Sequence, residues 1–160
     1  MQVRRSNTDR TAATRAALIA AGRALFIERG YAATGTPDLV AAAGVTRGAL
    51  YHHFADKAAL FLAVVEAEAR DVATEIEAAT TAGLKPAEAL RAGGRAFLDA
   101  MARPGRTRLL LVEAPSVLDP ETLARIDREH GGGTLAEGLA DALGKEFTAL
   151  QPLAELISAA

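Results

Sequence analysis

The chain has 160 residues, a net charge of −2, 24% charged residues, five phenylalanines, two tyrosines and no cysteine or tryptophan. Lack of cysteine excludes disulfides and thiolate metal sites, and no apolar run approaches the ~18 residues that span a bilayer. Alanine, leucine, arginine and glutamate dominate without β-branched runs of strand length, so the expected fold is all-α; the polar, arginine-bearing start does not resemble a signal peptide, so a cytoplasmic protein is expected.

Arg4, Arg5 and Arg10 lie in a polar opening stretch, read as a basic, disordered arm over residues 1–13. From Thr14 to Arg29, Leu18, Ala21, Gly22 and Leu25 recur at helical spacing, and Gly30-Tyr31 follow as a stop and a large anchor. Thr36-Pro37-Asp38 then reads as a helix start: N-cap, proline at the first helical position, acid in the first turn. Leu39 and Ala43 give that helix its apolar face.

Gly44 falls where a helix C-terminus needs a left-handed residue, Val45 turns inward, and Thr46 caps a short helix carrying Leu50 and Phe54 on one side. Two short amphipathic helices around a four-residue turn make a helix-turn-helix, in which the second helix enters the major groove of DNA. Thr46, Arg47 and Gly48 open that helix. Arg47 suits a bidentate contact to guanine or a phosphate equally well. Gly48 either admits the DNA backbone closely or merely loosens the first turn. His52 is read as a groove or phosphate contact and His53 as partly packed beside Phe54; neighbouring helical side chains point ~100° apart, which argues against a metal pair.

Asp56 caps a long helix from Lys57 to about Ala79, with Phe61, Val64, Val65, Val72 and Ile76 on one face. Lys57 sits at its N-terminus, where ammonium and helix dipole can both meet a phosphate. The charge is divided along the chain. Residues 1–60 carry eight basic and four acidic residues, a balance of +4, and the rest carry ten and sixteen, a balance of −6. The basic half is the half with the helix-turn-helix, the footprint of a DNA-binding head.

Beyond it, Lys85-Pro86-Ala87 starts a helix with Leu90, Gly94, Phe97, Leu98 and Met101 on one stripe, stopped by Arg103-Pro104-Gly105. Leu109 to Val112 is apolar all round, so a deeply buried segment ending before Pro115 is expected. Asp119-Pro120-Glu121 starts another helix with Leu123 and Ile126 inward. Gly131 to Gly133 then interrupt the pattern at about 1 kcal/mol each, and the stripe Leu135, Leu139, Leu143 is out of phase with what precedes it. A final run, Leu150, Leu153, Leu156 and Ile157, stops without a cap, as a truncated helix would.

Residues 12–61 resemble the N-terminal signature of the TetR/AcrR family of transcriptional regulators. The resemblance rests on Thr14-Arg15, Ala20-Ala21, Leu25-Phe26, Gly30-Tyr31, Thr34, Asp38-Leu39, Ala43-Gly44-Val45, Arg47-Gly48, Leu50-Tyr51, His53-Phe54, Lys57 and Leu60-Phe61. It departs at Gly35, where the family carries a second threonine; Thr34 and Thr36 flank the gap and are expected to supply the capping and phosphate contact. The resemblance implies that Tyr51 touches DNA. It further implies a head over residues 14–61 and a helical ligand-binding and dimerisation domain over 62–160. The implied function is a homodimeric repressor that binds a palindromic double-stranded DNA operator and is released by a small-molecule effector, with no cofactor.

For the effector pocket the apolar candidates are Leu62, Val65, Phe97, Met101, Leu110 and Leu139, each also readable as plain core. The polar ones are Arg108, Glu113 and His130, each also readable as surface. The dimer surface is expected on the stripe with Leu153 and Ile157. Two other classes stand beside this reading. An enzyme is disfavoured by the absence of cysteine, of a clustered His/Asp/Glu set and of a phosphate-binding glycine loop. An adaptor acting mainly through protein contacts would fold normally and not bind DNA.

Overall fold

The computed structural model describes residues 7–80 and 83–132, and every element among them is helical. Helix α1 (Asn7–Arg29) crosses α2 (Thr36–Ala43) and α3 (Arg47–His53), and α4 (Lys57–Ala79) packs along α1. Then come α5 (Pro86–Met101), a single turn α6 (Arg106–Arg108), a π-helical turn Leu109–Glu113, α7 (Ala114–Val117), α8 (Pro120–Asp127) and a second π-helical turn, Arg128–Gly132. The expected stripes at Leu135 to Leu143 and Leu150 to Ile157, and the arginines Arg4 and Arg5, lie outside the described residues.

The main core joins the first four helices. Leu18, Phe26, Leu39, Leu50, Leu60 and Phe61 are wholly buried there, with Phe54, Val64 and Val65 nearly so. Three aromatic rings meet where α1 ends: Phe26 and Tyr31 each stack edge-on against Phe61, at centroid distances of 5.1 and 5.0 Å. This core continues into the later helices through Leu109, Ala114 and Ile126. A second, smaller cluster holds Val72, Ala100 and Met101, with Ile76 and Leu110 against it.

Several expectations need correction. Helix α1 begins at Asn7, so the second half of the presumed arm, including Arg10, is helix. The N-cap of α2 is Gly35, not Thr36, and the Asp38 carboxylate accepts from the Gly35 N–H at 3.2 Å. The stretch Leu109 to Val112 is not buried all round: Leu109 is buried, whereas Leu111 and Val112 are each 62% exposed. Only one side of this segment meets α4 and the head. Nor does the helix stop before Pro115. The Ala114 N–H reaches back to Leu109 O, and Pro115 sits in the first turn of α7, where its missing N–H costs nothing.

Helix α5 also turns a different face inward. It approaches α4 through small residues: Gly93 lies against Thr80 and Ile76, and Ala100 is wholly buried. Phe97 and Leu98, on the expected inner stripe, therefore point outward.

Candidate nucleic-acid interface

The turn before α3 is closed by backbone geometry. Gly44 is left-handed at φ +64°, its N–H donates to Ala41 O at 3.2 Å, and the Val45 N–H donates to Val40 O at 3.1 Å. That paired pattern satisfies the last carbonyls of α2 and redirects the chain. The Thr46 hydroxyl oxygen then accepts from the Ala49 N–H at 3.1 Å, capping α3.

At about 100° per residue, Arg47, Gly48, Tyr51 and His52 occupy one arc of roughly 140° on α3. All four are exposed, and so is Thr46. Leu50 on the opposite side is wholly buried, and Phe54 just beyond the helix is nearly so, so the helix cannot roll without exposing core. The Arg47 guanidinium lies over the Tyr51 ring at 5.5 Å, which restricts two long side chains to one preformed pair. A side chain at Gly48 would meet nothing closer than the Thr46 hydroxyl at 3.9 Å. Internal packing therefore does not require glycine there. His53 is half-buried, 6.5 Å from Phe54 between ring centroids.

Three expected contacts are placed differently. Thr34 is 1% exposed, and its hydroxyl donates to Gly30 O at 2.8 Å, so it fastens the end of α1 rather than facing a ligand. Thr36 is half-buried in the first turn of α2. Lys57 turns inward: its ammonium donates to Tyr31 O at 2.9 Å and to Thr34 O at 3.0 Å, and sits 4.1 Å from the Tyr31 ring centre. Such an ammonium pins the α1–α2 loop to the start of α4 through two of its three N–H donors.

Conversely, Arg15 on α1 is exposed with its guanidinium over the Phe54 ring at 5.2 Å, beside the end of α3. Arg15 adds positive charge next to the exposed arc, and Arg10, also exposed, lies five residues before it on α1. In the sequence Arg10 reads as part of the basic arm, and Arg15 enters only through the family signature and the charge count.

The pocket candidates do not gather at one place. Val65 and Leu62 belong to the main core, Met101 to the second cluster, Leu110 packs against both, and Phe97 is 45% exposed. Arg108 and Glu113 pair with each other at 3.1 Å near the end of α1. His130 lies on the second π-turn, and Leu139 outside the described residues.

Sequence reasoning missed a buried ionic cluster altogether. Glu68 and Arg106 are 3% and 2% exposed and pair at 2.9 Å. Arg23 of α1 shares the Glu68 carboxylate, and Arg106 also reaches Glu75 and Ala100 O, each at 3.0 Å. Burial pushes the Glu68 carboxyl up, but the hydrogen bonds and charge of Arg23 and Arg106 outweigh it and hold the group below the ordinary carboxylate range. Burial likewise opposes charge on Arg106, and its bonds to Glu68 and Glu75 more than offset it. A signal existed: Glu68 stands four residues from both Val64 and Val72, an acid on the apolar stripe of α4.

A capped, core-locked helix with one exposed arc beside a basic surface is the DNA-reading unit of a transcriptional regulator. Comparisons with known proteins give the family. Residues 18–64 match the model of bacterial regulatory proteins of the tetR family, and residues 87–160 match the tetracyclin repressor-like C-terminal domain. The chain belongs to the TetR family of DNA-binding transcriptional regulators. It is 30% identical over 112 residues to the HTH-type transcriptional activator FasR of Mycolicibacterium smegmatis, across 70% of this chain and 51% of that protein. The chain spans about half the length, or less, of the curated relatives it matches.

A solved TetR-family regulator from Pectobacterium atrosepticum superposes with a TM-score of 0.75 at 32% identity, covering 97% of this chain and 80% of that one. A gamma-butyrolactone receptor described as ArpA-like superposes at 0.64 with 29% identity, covering 94% and 80%. No helix among the described residues is long and apolar enough to cross a membrane.

Proposed function

We propose that the protein is a cytoplasmic repressor that binds a palindromic operator as a homodimer through Thr46, Arg47, Gly48, Tyr51 and His52, and that a small molecule in its C-terminal half releases it. The exposed arc of α3 carries this reading. Its side chains have no role in the core, while the opposite side is locked by Leu50 and Phe54. Arg47 gives the bidentate contact to guanine, Tyr51 aligns it from below, and the bare backbone at Gly48 lets the duplex approach. Arg10 and Arg15 hold flanking phosphates and fix the register.

A head of three short helices makes few phosphate contacts, so two copies are needed for tight, specific binding. Dimers of this motif read half-sites whose centres lie about 34–36 Å apart. The repressor-like match of the C-terminal half supports release by a ligand, as does the likeness to a protein described as a receptor for a small lactone. The second apolar cluster, with Met101 and Leu110 against α4, is the place for that ligand. Movement of α4 there would change the spacing of the two heads, with a coupling of about 1–3 kcal/mol.

Selection of bound sites from random duplex DNA tests the reading. The expected product is one motif made of two inverted half-sites spaced by a helical turn. A motif without inverted symmetry contradicts the dimer. Recovery of no motif from well-folded protein contradicts sequence reading and favours an adaptor acting through protein contacts.

A further inference from the structure

Glu113 ends the first π-helical turn, 82 positions along the chain from Tyr31, yet its Oε2 accepts from the Tyr31 backbone N–H at 2.9 Å. Its Oε1 accepts from Arg108 at 3.1 Å, and Arg108 in turn donates to Ile27 O at 3.1 Å. One side-chain pair from the C-terminal half thus holds both the last turn of α1 and the first amide of the loop after it. The Glu113 side chain is only 15% exposed, which strengthens its bond to the Tyr31 amide relative to a surface contact, while its partner Arg108 is 48% exposed. The Gly105 backbone, left-handed at φ +80°, also comes close to α1 nearby: an added Cβ would lie 2.3 Å from the Ile27 side chain.

Tyr31 leads onward from this grip. Its ring packs against Phe26 and Phe61, and its carbonyl, with that of Thr34, holds the Lys57 ammonium at the start of α4. The same loop enters α2, and the closed turn at Gly44 fixes α3 to α2. The links at Tyr31 and Lys57 are hydrogen bonds and ring contacts, and the step from the loop to α3 runs along the chain through α2. None depends on the covalent passage of the chain through α4.

We propose that Glu113 is a positioning residue for the recognition helix: a C-terminal carboxylate that sets the α1–α2 loop, and through it the placement of α3 on DNA, by a route parallel to α4. The inference rests on the DNA-binding reading above. The turn that carries Glu113 is suited to the role. Its Ala114 N–H bonds five residues back to Leu109 O, a register rarer than the α-helical one, found mostly as single turns and frequently at functional sites. On its outer side Leu111 and Val112 are exposed. Anything that rearranges this turn withdraws the acceptor from the Tyr31 N–H.

Three variants test it, with duplex affinity for a selected operator, melting temperature and hydrogen exchange of the Tyr31 amide as readouts. Glu113→Ala is expected to expose the Tyr31 amide to exchange and to weaken operator binding about tenfold, within the usual range of intersite coupling. Glu113→Gln keeps an acceptor and should restore amide protection and bind within about twofold of the parent, on the same scale. Arg125→Ala, which removes the α8 ion pairs to Glu66 and Glu129 away from the head, should leave affinity unchanged whatever it does to melting.

If Glu113→Ala does not fold, Arg108→Ala takes its place; it frees Ile27 O and loosens Glu113, and the same readouts should move in the same direction. An unprotected Tyr31 amide with parental affinity overturns the proposal, as does a glutamine variant no better than alanine. A parent that binds no duplex overturns the DNA-binding reading and this inference with it. A parent that binds while the alanine variant matches it overturns this inference alone.

Discussion

Two pairs of large apolar side chains on expected apolar stripes meet opposite fates. Leu50 and Phe54, on and just after α3, are 0% and 5% exposed. Phe97 and Leu98, on α5, are 45% and 67% exposed. The first pair belongs to a helix of seven residues that has partners on two sides, α1 and α2, and a cap at its start. The second belongs to a longer helix whose contact with α4 is made by Gly93, Ala100 and Met101, so Phe97 and Leu98 lie off the contact line. Spacing shows which residues share a face. It does not show which face finds a partner.

Mutation should reproduce this contrast. Truncation of a buried phenylalanine costs ~3–5 kcal/mol, so Phe54→Ala is expected to unfold or greatly destabilise the protein, while Phe97→Ala stays within about 1 kcal/mol of the parent. Thermal melting without DNA reads both, and equal losses would erase the distinction between the two regions.

The ionic cluster gives an effect of the same order. Arg106→Met leaves the Glu68 carboxylate buried with one partner fewer, and breaking a buried pair typically costs 3–5 kcal/mol, with Arg23 left to offset part of it. Its pH dependence has a definite sign. The folded pKa of Glu68 lies below its unfolded value, so its contribution is complete above the ordinary carboxylate pKa of ~4.3 and is lost as pH falls through the folded one. Acid titration of stability should therefore show a loss below about pH 4.3 that is reduced in Glu68→Gln; identical acid profiles would remove the cluster from the account.

A smaller effect separates two readings of Lys57. Its loss removes hydrogen bonds from a charged donor to two carbonyls, worth roughly 1.5–3 kcal/mol together with the contact to Tyr31. Lys57→Ala should lower the melting temperature and leave the salt slope of DNA binding unchanged. A slope reduced by about one unit at unchanged stability would return Lys57 to a phosphate. The smallest change is expected at Tyr51→Ala, within about 0.5 kcal/mol in stability, since its ring covers no core.

Much of the head was legible because its signals are local. Thr46 and Asp56 cap the helices they precede, and Gly44 takes the left-handed turn its position demands. The positions of Thr34 and Lys57 were not legible. Both are polar residues near a helix start, which from sequence alone suits a phosphate as well as it suits a carbonyl. Their partners, Gly30 O, Tyr31 O and Thr34 O, are backbone atoms that no pattern displays. Glu113 stood out only as a polar candidate for the pocket, and Arg106 not at all, for a related reason. Their contacts span 82 and 38 positions, and separations of that size leave no periodic trace. The acid at Glu68 did break a periodic stripe and was readable in principle.

The exposed arc of α3 is the centre of the account, and one experiment addresses it most directly. Bound-site selection from random duplexes is run in parallel with the parent and with Arg47→Ala, after melting curves show that both fold alike. The account predicts the same pair of inverted half-sites for both, with preference lost at one base pair in each half-site of the variant, a discrimination of about 1–3 kcal/mol. A uniform fall in affinity with every preference retained would contradict it and assign Arg47 to the phosphate backbone.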